Sequence, residues 1–213
     1  MMHTANRSRS KASQQEPKTS TLIDGSELSA RFRILGLFPL VFFLLHTLYY
    51  LRHGGLSYML WMCNIGNLVL AAGLFLGRPL LIRVAVFWLL PGLPLWIWYI
   101  VLRGEGLFTS ALSHIGGLMM GAIAISKVRA DRRTWLHAFA WYLLVQQICR
   151  LVTPAALNVN IAHRIYSGWE GVFGAYWQFW LVTTLVAGTG LWIIGIILLK
   201  LLPPQATSRR PWD

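Results

Sequence analysis

SYMLWMCNIGNLVLAAGLF, residues 57–75, is an apolar run that nevertheless carries Cys63, Asn64 and Asn67. A helix needs roughly 20 apolar residues to cross about 30 Å of hydrocarbon, so the run reads as a membrane span with unexpected polar cargo. A second run, GLFTSALSHIGGLMMGAIAIS at 106–126, repeats the pattern with His114. Similar runs fill most of the chain, at about 34–51, 57–77, 80–102, 106–127, 134–152 and 175–200. The 213 residues are 56% hydrophobic and 12% charged, and mean hydropathy is +0.55. An ordinary soluble domain carries about twice that charge fraction. Backbone groups in lipid must be satisfied within the chain, and the short alternating segments of a barrel are missing, so the runs should be helical. The expected fold class is an all-α polytopic integral membrane protein, a bundle of six transmembrane helices in the cell membrane.

The third run holds Pro91 and Pro94 in WLLPGLPLW and should be kinked or broken there. The sixth is longer than a span requires and should tilt or emerge at its end. Residues 1–33 form a polar, basic tail expected to be disordered at least to about Glu16, and no segment reads as a cleavable signal peptide. Residues 34–200 constitute the membrane domain and 201–213 a second short tail.

Six spans place both ends on one side. With both termini cytoplasmic, Arg7, Arg9, Lys11, Lys18, Arg31, Arg33, Arg78, Arg83, Lys127, Arg129, Arg132, Arg133, Lys200, Arg209 and Arg210 fall inside. Only Arg52, Arg103, Arg150 and Arg164 fall outside. This is a strong positive-inside bias, concentrated in KVRADRR at 127–133. The net charge of +12 is therefore topology plus attraction to an anionic inner leaflet. Membrane lipids are the expected partners. A nucleic-acid partner is not, because the charges lie in short loops and tails.

That orientation sets the depth of the polar residues. Cys63 lies about 9 Å below the outer end of span two and His114 about 12 Å into span four, at 1.5 Å per residue. His46 is about one turn from the outer end of span one, Gln146, Gln147 and Arg150 end span five, and Tyr176 and Gln178 begin span six. The polar groups thus share one outer layer, while the inner half keeps Asn67, Arg83, His137, Thr183 and Thr184. Buried polar groups in a bilayer face the bundle interior or a watery cavity, which suggests an outward-facing cavity. The alternative is helix–helix glue, since Gly66, Gly73, Gly116, Gly117, Gly121, Gly188 and Gly190 look like packing faces. The outer loop within LVTPAALNVNIAHRIYSGWEGVFGAYWQ is unusually long and carries Asn158, Asn160, His163, Arg164, Trp169 and Glu170. It reads either as a lid over the cavity or as an interfacial aromatic segment.

Cysteine with histidine is the pair that nucleophilic acyl transfer requires, and Cys63 and His114 lie at similar depth. Two other outcomes stay open for the thiols: Cys63 as a small buried hydrophobe, or a Cys63–Cys149 disulfide on an oxidising side. No Asp or Glu lies within a span, which disfavours a carboxylate proton relay. The outer histidines His46, His53, His114 and His163 have no ligand spacing, so no metal is expected. Phosphate-cradling and dinucleotide motifs are missing, so no cofactor is expected.

The Cys63 of WMCNIGNL, the proline-containing third span, the His114 of TSALSHIGG and the Asn158-x-Asn160 loop together resemble a known group. It comprises six-span bacterial integral membrane proteins distantly related to the eukaryotic transmembrane lipid acyltransferases and androgen-induced membrane hydrolases. The likeness spans residues 57–200 as sparse single positions. An aromatic residue follows the second loop asparagine in those relatives, whereas Ile161 stands here. The resemblance implies lipid acyl chemistry with Cys63 as nucleophile and His114 as base. The expected function is then a membrane-embedded lipid acyltransferase or hydrolase, with His46, Asn64, Gln146, Gln147, Arg150, Asn158, Asn160 and Gln178 as substrate-binding candidates. A small transporter, lipid-binding protein or complex subunit is the competing expectation. Oligomeric state is left open.

Overall fold

The computed structural model describes residues 30–104, 106–128 and 130–202. The expected tails, apart from their membrane-proximal ends, together with Glu105 and Arg129, lie outside the described residues. Six helices carry the fold: α1 (Leu37–His53), α2 (Met62–Phe75), α3 (Pro79–Arg103), α4 (Phe108–Ile125), α5 (Thr134–Val152) and α6 (Tyr176–Leu201). A helical turn at Ala30–Ile34 leads into α1. All regular structure among the described residues is helical.

Four helices are long and apolar enough to cross a membrane: Phe32–His53, Pro79–Leu102, Phe108–Ile125 and Tyr176–Leu201. This is a multi-pass membrane protein. The outer two, α1 and α6, are each only 17% buried over their apolar windows and turn leucine, valine and isoleucine outward, as lipid-facing helices do. The other two expected spans differ. With 14 residues, α2 is about 21 Å long, short of the full hydrocarbon thickness, while α5 ends in Gln146, Gln147 and Arg150.

Eight of the 14 residues of α2 are buried, which makes it the central helix. It forms a hairpin with α3 through a turn at Gly77, whose φ of +62° is the left-handed conformation that glycine adopts freely. Below the turn the two backbones nearly touch, since a Cβ on Gly73 would lie 2.8 Å from the Ile82 amide nitrogen. Gly121 of α4 instead makes room for a side chain of α3, since a Cβ there would lie 3.1 Å from Val86 Cγ2. Small residues do serve as packing faces here, and where the backbones close up dispersion replaces side-chain volume.

Helix α3 is the wall between two cores. On one face Ile82, Ala85 and Leu89 pack with Leu70 and Leu74 of α2 and Ala124 of α4. On the other, Val84, Phe87 and Trp88 pack with Ala138, Tyr142 and Val145 of α5 and Leu191 of α6. The helix runs unbroken through Pro91 and Pro94, so of the two outcomes expected there, a kink or a break, the break is not formed. At the end where the α2–α3 and α4–α5 turns meet, Arg83 pairs with Asp131 at 3.5 Å.

Candidate functional site

The polar layer divides into two clusters. The first is built from α1–α4. A Cβ added at Gly92 of α3 would lie 3.1 Å from Cys63 Cβ and 3.9 Å from His114 Cδ2. Both side chains therefore approach one bare spot on α3, and Gly92 is the residue that leaves it bare. Cys63 opens α2 at its second position and is a free thiol.

His114 is presented by an irregular turn. Residues Leu112–Gly116 of α4 form a π-bulge, in which the Gly117 amide donates to the Leu112 carbonyl five residues back. Such bulges insert one residue into a helix and re-aim the side chains around it. His114 Nδ1 lies 2.8 Å from the Ser110 carbonyl oxygen. A carbonyl only accepts, so Nδ1 carries the hydrogen and Nε2 of the neutral ring is left as an acceptor. Trp96 of α3 stacks on the imidazole, with centroids 5.1 Å apart and planes 12° from parallel. The same indole donates its Nε1 hydrogen to the Ser110 hydroxyl at 2.9 Å.

Beside this pair, His46 of α1 holds the Thr109 hydroxyl through Nδ1 at 3.0 Å. Tyr50 packs edge-on to His46, with Tyr58 next to it. Asn67, one turn below Cys63, donates to both the Cys63 and Ser113 carbonyls and so ties α2 to α4. Its Oδ1 abuts Gly117, where a Cβ would collide with it.

The second cluster joins α5, α6 and the long outer loop to the start of α2. Asn160 accepts from the Met62 amide and donates to the Leu60 carbonyl at 2.7 Å and to Cys149 Sγ at 3.2 Å. Gln146 donates to the Tyr142 hydroxyl and the Asn160 carbonyl, and accepts from Trp180 Nε1 at 2.8 Å. Asn158 caps the chain at His163 and Arg164 through their amides and bonds the Arg164 carbonyl. His163 bonds the Thr153 hydroxyl, and the Tyr176 hydroxyl donates to the Ile161 and Ala162 carbonyls. The loop is thus clasped onto α2 and α5 by its own polar residues. The clasp is strained: Asn158, Asn160 and Ile161 all have φ near +50°, an outlier for a β-branched residue.

The expected site residues therefore part company. Cys63, His114 and His46 gather in the first cluster. Gln146, Asn158 and Asn160 are engaged in the clasp, Asn64 donates to the Tyr58 carbonyl, and Gln178 accepts from the Ala175 amide at the start of α6. Gln147 is exposed on α5, and Arg150, also exposed, lies over the Tyr176 ring at 5.6 Å. Both cysteines are free, so the disulfide alternative is not formed. No cluster of three or more metal-ligating side chains occurs among the described residues.

The chain matches no family model, no curated protein and no solved structure. What the first cluster can do rests on its own geometry. It offers a thiol, an imidazole nitrogen free to accept a proton, and apolar helices on every side. Sequence reading missed Gly92, Trp96, Thr109 and Ser110. The only trace of Ser110 was its spacing four residues before His114, which places its carbonyl one helical turn below the ring.

Proposed function

We propose that this protein is a membrane-embedded lipid acyl-processing enzyme, an acyltransferase or hydrolase, with six spans and both termini cytoplasmic. The observation that supports it is the approach of Cys63 and His114 to the same point at Gly92. An acyl chain lies among the helices and brings its carbonyl to Cys63 from the outer side. His114 Nε2 takes the thiol proton as Sγ attacks the carbonyl carbon. The tetrahedral intermediate collapses, and the leaving oxygen departs with the proton that His114 returns. Water or a second alcohol, deprotonated by the same nitrogen, then releases the acyl group from the thioester. Gln147 and Arg150 are the exposed outer groups suited to a headgroup, since a guanidinium grips two phosphate oxygens at once.

The test is labelling of the liposome-reconstituted protein with a long-chain acyl chloromethyl ketone, read by intact mass and site mapping. We expect selective modification at Cys63, falling at least tenfold in His114→Ala and unaffected by Cys149→Ala. Slow labelling at Cys63 that ignores His114 would leave a lipid-binding or transport protein as the better reading.

A further inference from the structure

The acyl-transfer reading leaves a gap in the catalytic unit. A cysteine–histidine pair ordinarily has a third group that holds the imidazole in one tautomer and stabilises the imidazolium that forms. That group is usually a carboxylate or an amide. Here no Asp or Glu lies in any of the six apolar runs, and the described acids Asp131 and Glu170 are occupied elsewhere, at Arg83 and at the Gly168 amide.

We propose that Ser110 and Trp96 together fill that place as positioning residues for His114. The inference rests on the reading of Cys63 and His114 as the reacting pair, and it divides the missing role into two parts. The Ser110 carbonyl fixes the tautomer, because its 2.8 Å contact requires the hydrogen on Nδ1. The indole face of Trp96, parallel to the ring at 5.1 Å, supplies the electrostatic part. A cation within about 6 Å of an indole face is attracted by its quadrupole, and a neutral ring much less so. Trp96 therefore favours the imidazolium formed after thiol deprotonation over the resting imidazole, which is the condition for speeding a step.

The arrangement is braced at the same residue. Ser110 accepts His114 through its carbonyl and Trp96 through its hydroxyl, so ring, indole and helix turn are locked together. The π-bulge that follows supplies the turn of α4 needed to carry the Cδ2 edge of His114 toward Gly92. Nε2 lies on that edge, next to Cδ2.

Two measurements on the full-length reconstituted protein test this, one of them independent of chemistry. Nitrogen-15 NMR of histidine-labelled protein, with His114 assigned by its loss in His114→Ala, reads the tautomer directly. We expect the Nδ1–H form in wild type, in Trp96→Phe and in Trp96→Leu, since all three keep the Ser110 carbonyl. In the chloroketone assay, Trp96→Leu should slow Cys63 modification about tenfold and Trp96→Phe about threefold, as the strength of the lost cation–π contact suggests. Ser110→Ala, which keeps the carbonyl but unlatches the indole, should preserve the tautomer and slow modification about threefold. It also serves as the working variant if Trp96→Leu does not fold. An Nε2–H tautomer in wild type, or unchanged labelling in Trp96→Leu or Ser110→Ala, overturns the positioning role. Labelling indifferent to His114 itself overturns the acyl-transfer reading instead, while the tautomer measurement still reports on the positioning.

Discussion

At the scale of single residues, the proposed site depends as much on a missing atom as on the thiol and imidazole beside it. Gly92 lets Cys63 and His114 share a bare patch of α3, and Gly92→Ala would place a methyl 3.1 Å from Cys63 Cβ. Overpacking of this kind costs about 1–3 kcal/mol. We expect Gly92→Ala to lower thermal stability by that order and to cut Cys63 labelling several-fold; a fully reactive thiol would show that the gap serves packing alone. Asn160 is the opposite case, a polar residue whose value is structural. Asn160→Ala would orphan the Met62 amide and leave the Leu60 carbonyl only the long 4.0 Å contact from Cys149 Sγ. Each unsatisfied buried group costs about 1–3 kcal/mol, so the variant should unfold at markedly lower denaturant than wild type. Normal stability would mean that the clasp contributes little. These two positions also show what a sequence reveals of a site. The residue types able to react, Cys63 and His114, were legible from their chemistry. The amides Gln146, Asn158 and Asn160 looked equally capable, but a side chain's chemistry does not say whether its partner is a substrate or a neighbouring carbonyl. Ser110 escaped notice because it acts through its backbone, and Gly92 because it acts by having no side chain.

At the scale of elements, two irregular segments have testable consequences. The π-bulge Leu112–Gly116 holds one residue more than an α-helix would. Ile115 is 47% exposed and packs little, so deleting it should restore regular helix without emptying a core position. We expect the shortened protein to keep its helical circular dichroism and to label at Cys63 no faster than His114→Ala; wild-type labelling would separate the bulge from the chemistry. In the outer loop, the exposed Glu170 carboxylate accepts from the Gly168 amide at 2.7 Å. Hydrogen bonds from its own amide and that of Gly168 hold its pKa below the usual carboxylate value. A depressed folded-state pKa means that the bond steadies the turn above the ordinary carboxylate range, about 4.3. The contribution is lost as pH falls through the lower folded-state value. Trp169, which stacks on Phe173 at 6.0 Å, should report this as a fluorescence change on acidification that Glu170→Gln lacks. An identical acid response in the variant would assign the change to another group. Periodicity and length made the helices legible, but not the continuity of α3 through two prolines. Packing on both faces holds Ile82–Leu89, which includes the Phe87 carbonyl that Pro91 leaves without its amide, while the helix beyond Pro94 is largely exposed.

At the scale of the whole molecule, the proposal that all six helices cross the bilayer has a direct test. Length and hydropathy mark four, and leave α2 and α5 to be placed. The proposed six-span arrangement makes use of how the bundle is built. The α2–α3 and α4–α5 turns lie at one end, as the Arg83–Asp131 contact shows, while the clasp joins the α5–α6 loop to the start of α2 at the other. Both of these helices therefore run between the same two ends as their long neighbours. A short, heavily buried α2 is tolerable because its neighbours, not lipid, cover it, and local thinning costs only fractions of a kcal/mol per Å. The proposed orientation puts the positive charge of the Arg78 and Lys127–Arg133 end inside. Cysteine accessibility resolves both points in a Cys63→Ala, Cys149→Ala background. Ser126→Cys and Ser167→Cys flank α5, and Leu56→Cys and Arg78→Cys flank α2; three of these residues are exposed helix ends or turns and Ser167 is exposed in the loop. An impermeant maleimide should label Ser167→Cys and Leu56→Cys in intact cells, and Ser126→Cys and Arg78→Cys only after the membrane is opened. The reverse pattern inverts the orientation and moves Cys63 and His114 to the inner leaflet. Labelling of both members of a pair from one side removes that helix from the count, and with α2 or α5 not crossing, the two chain ends would lie on opposite sides.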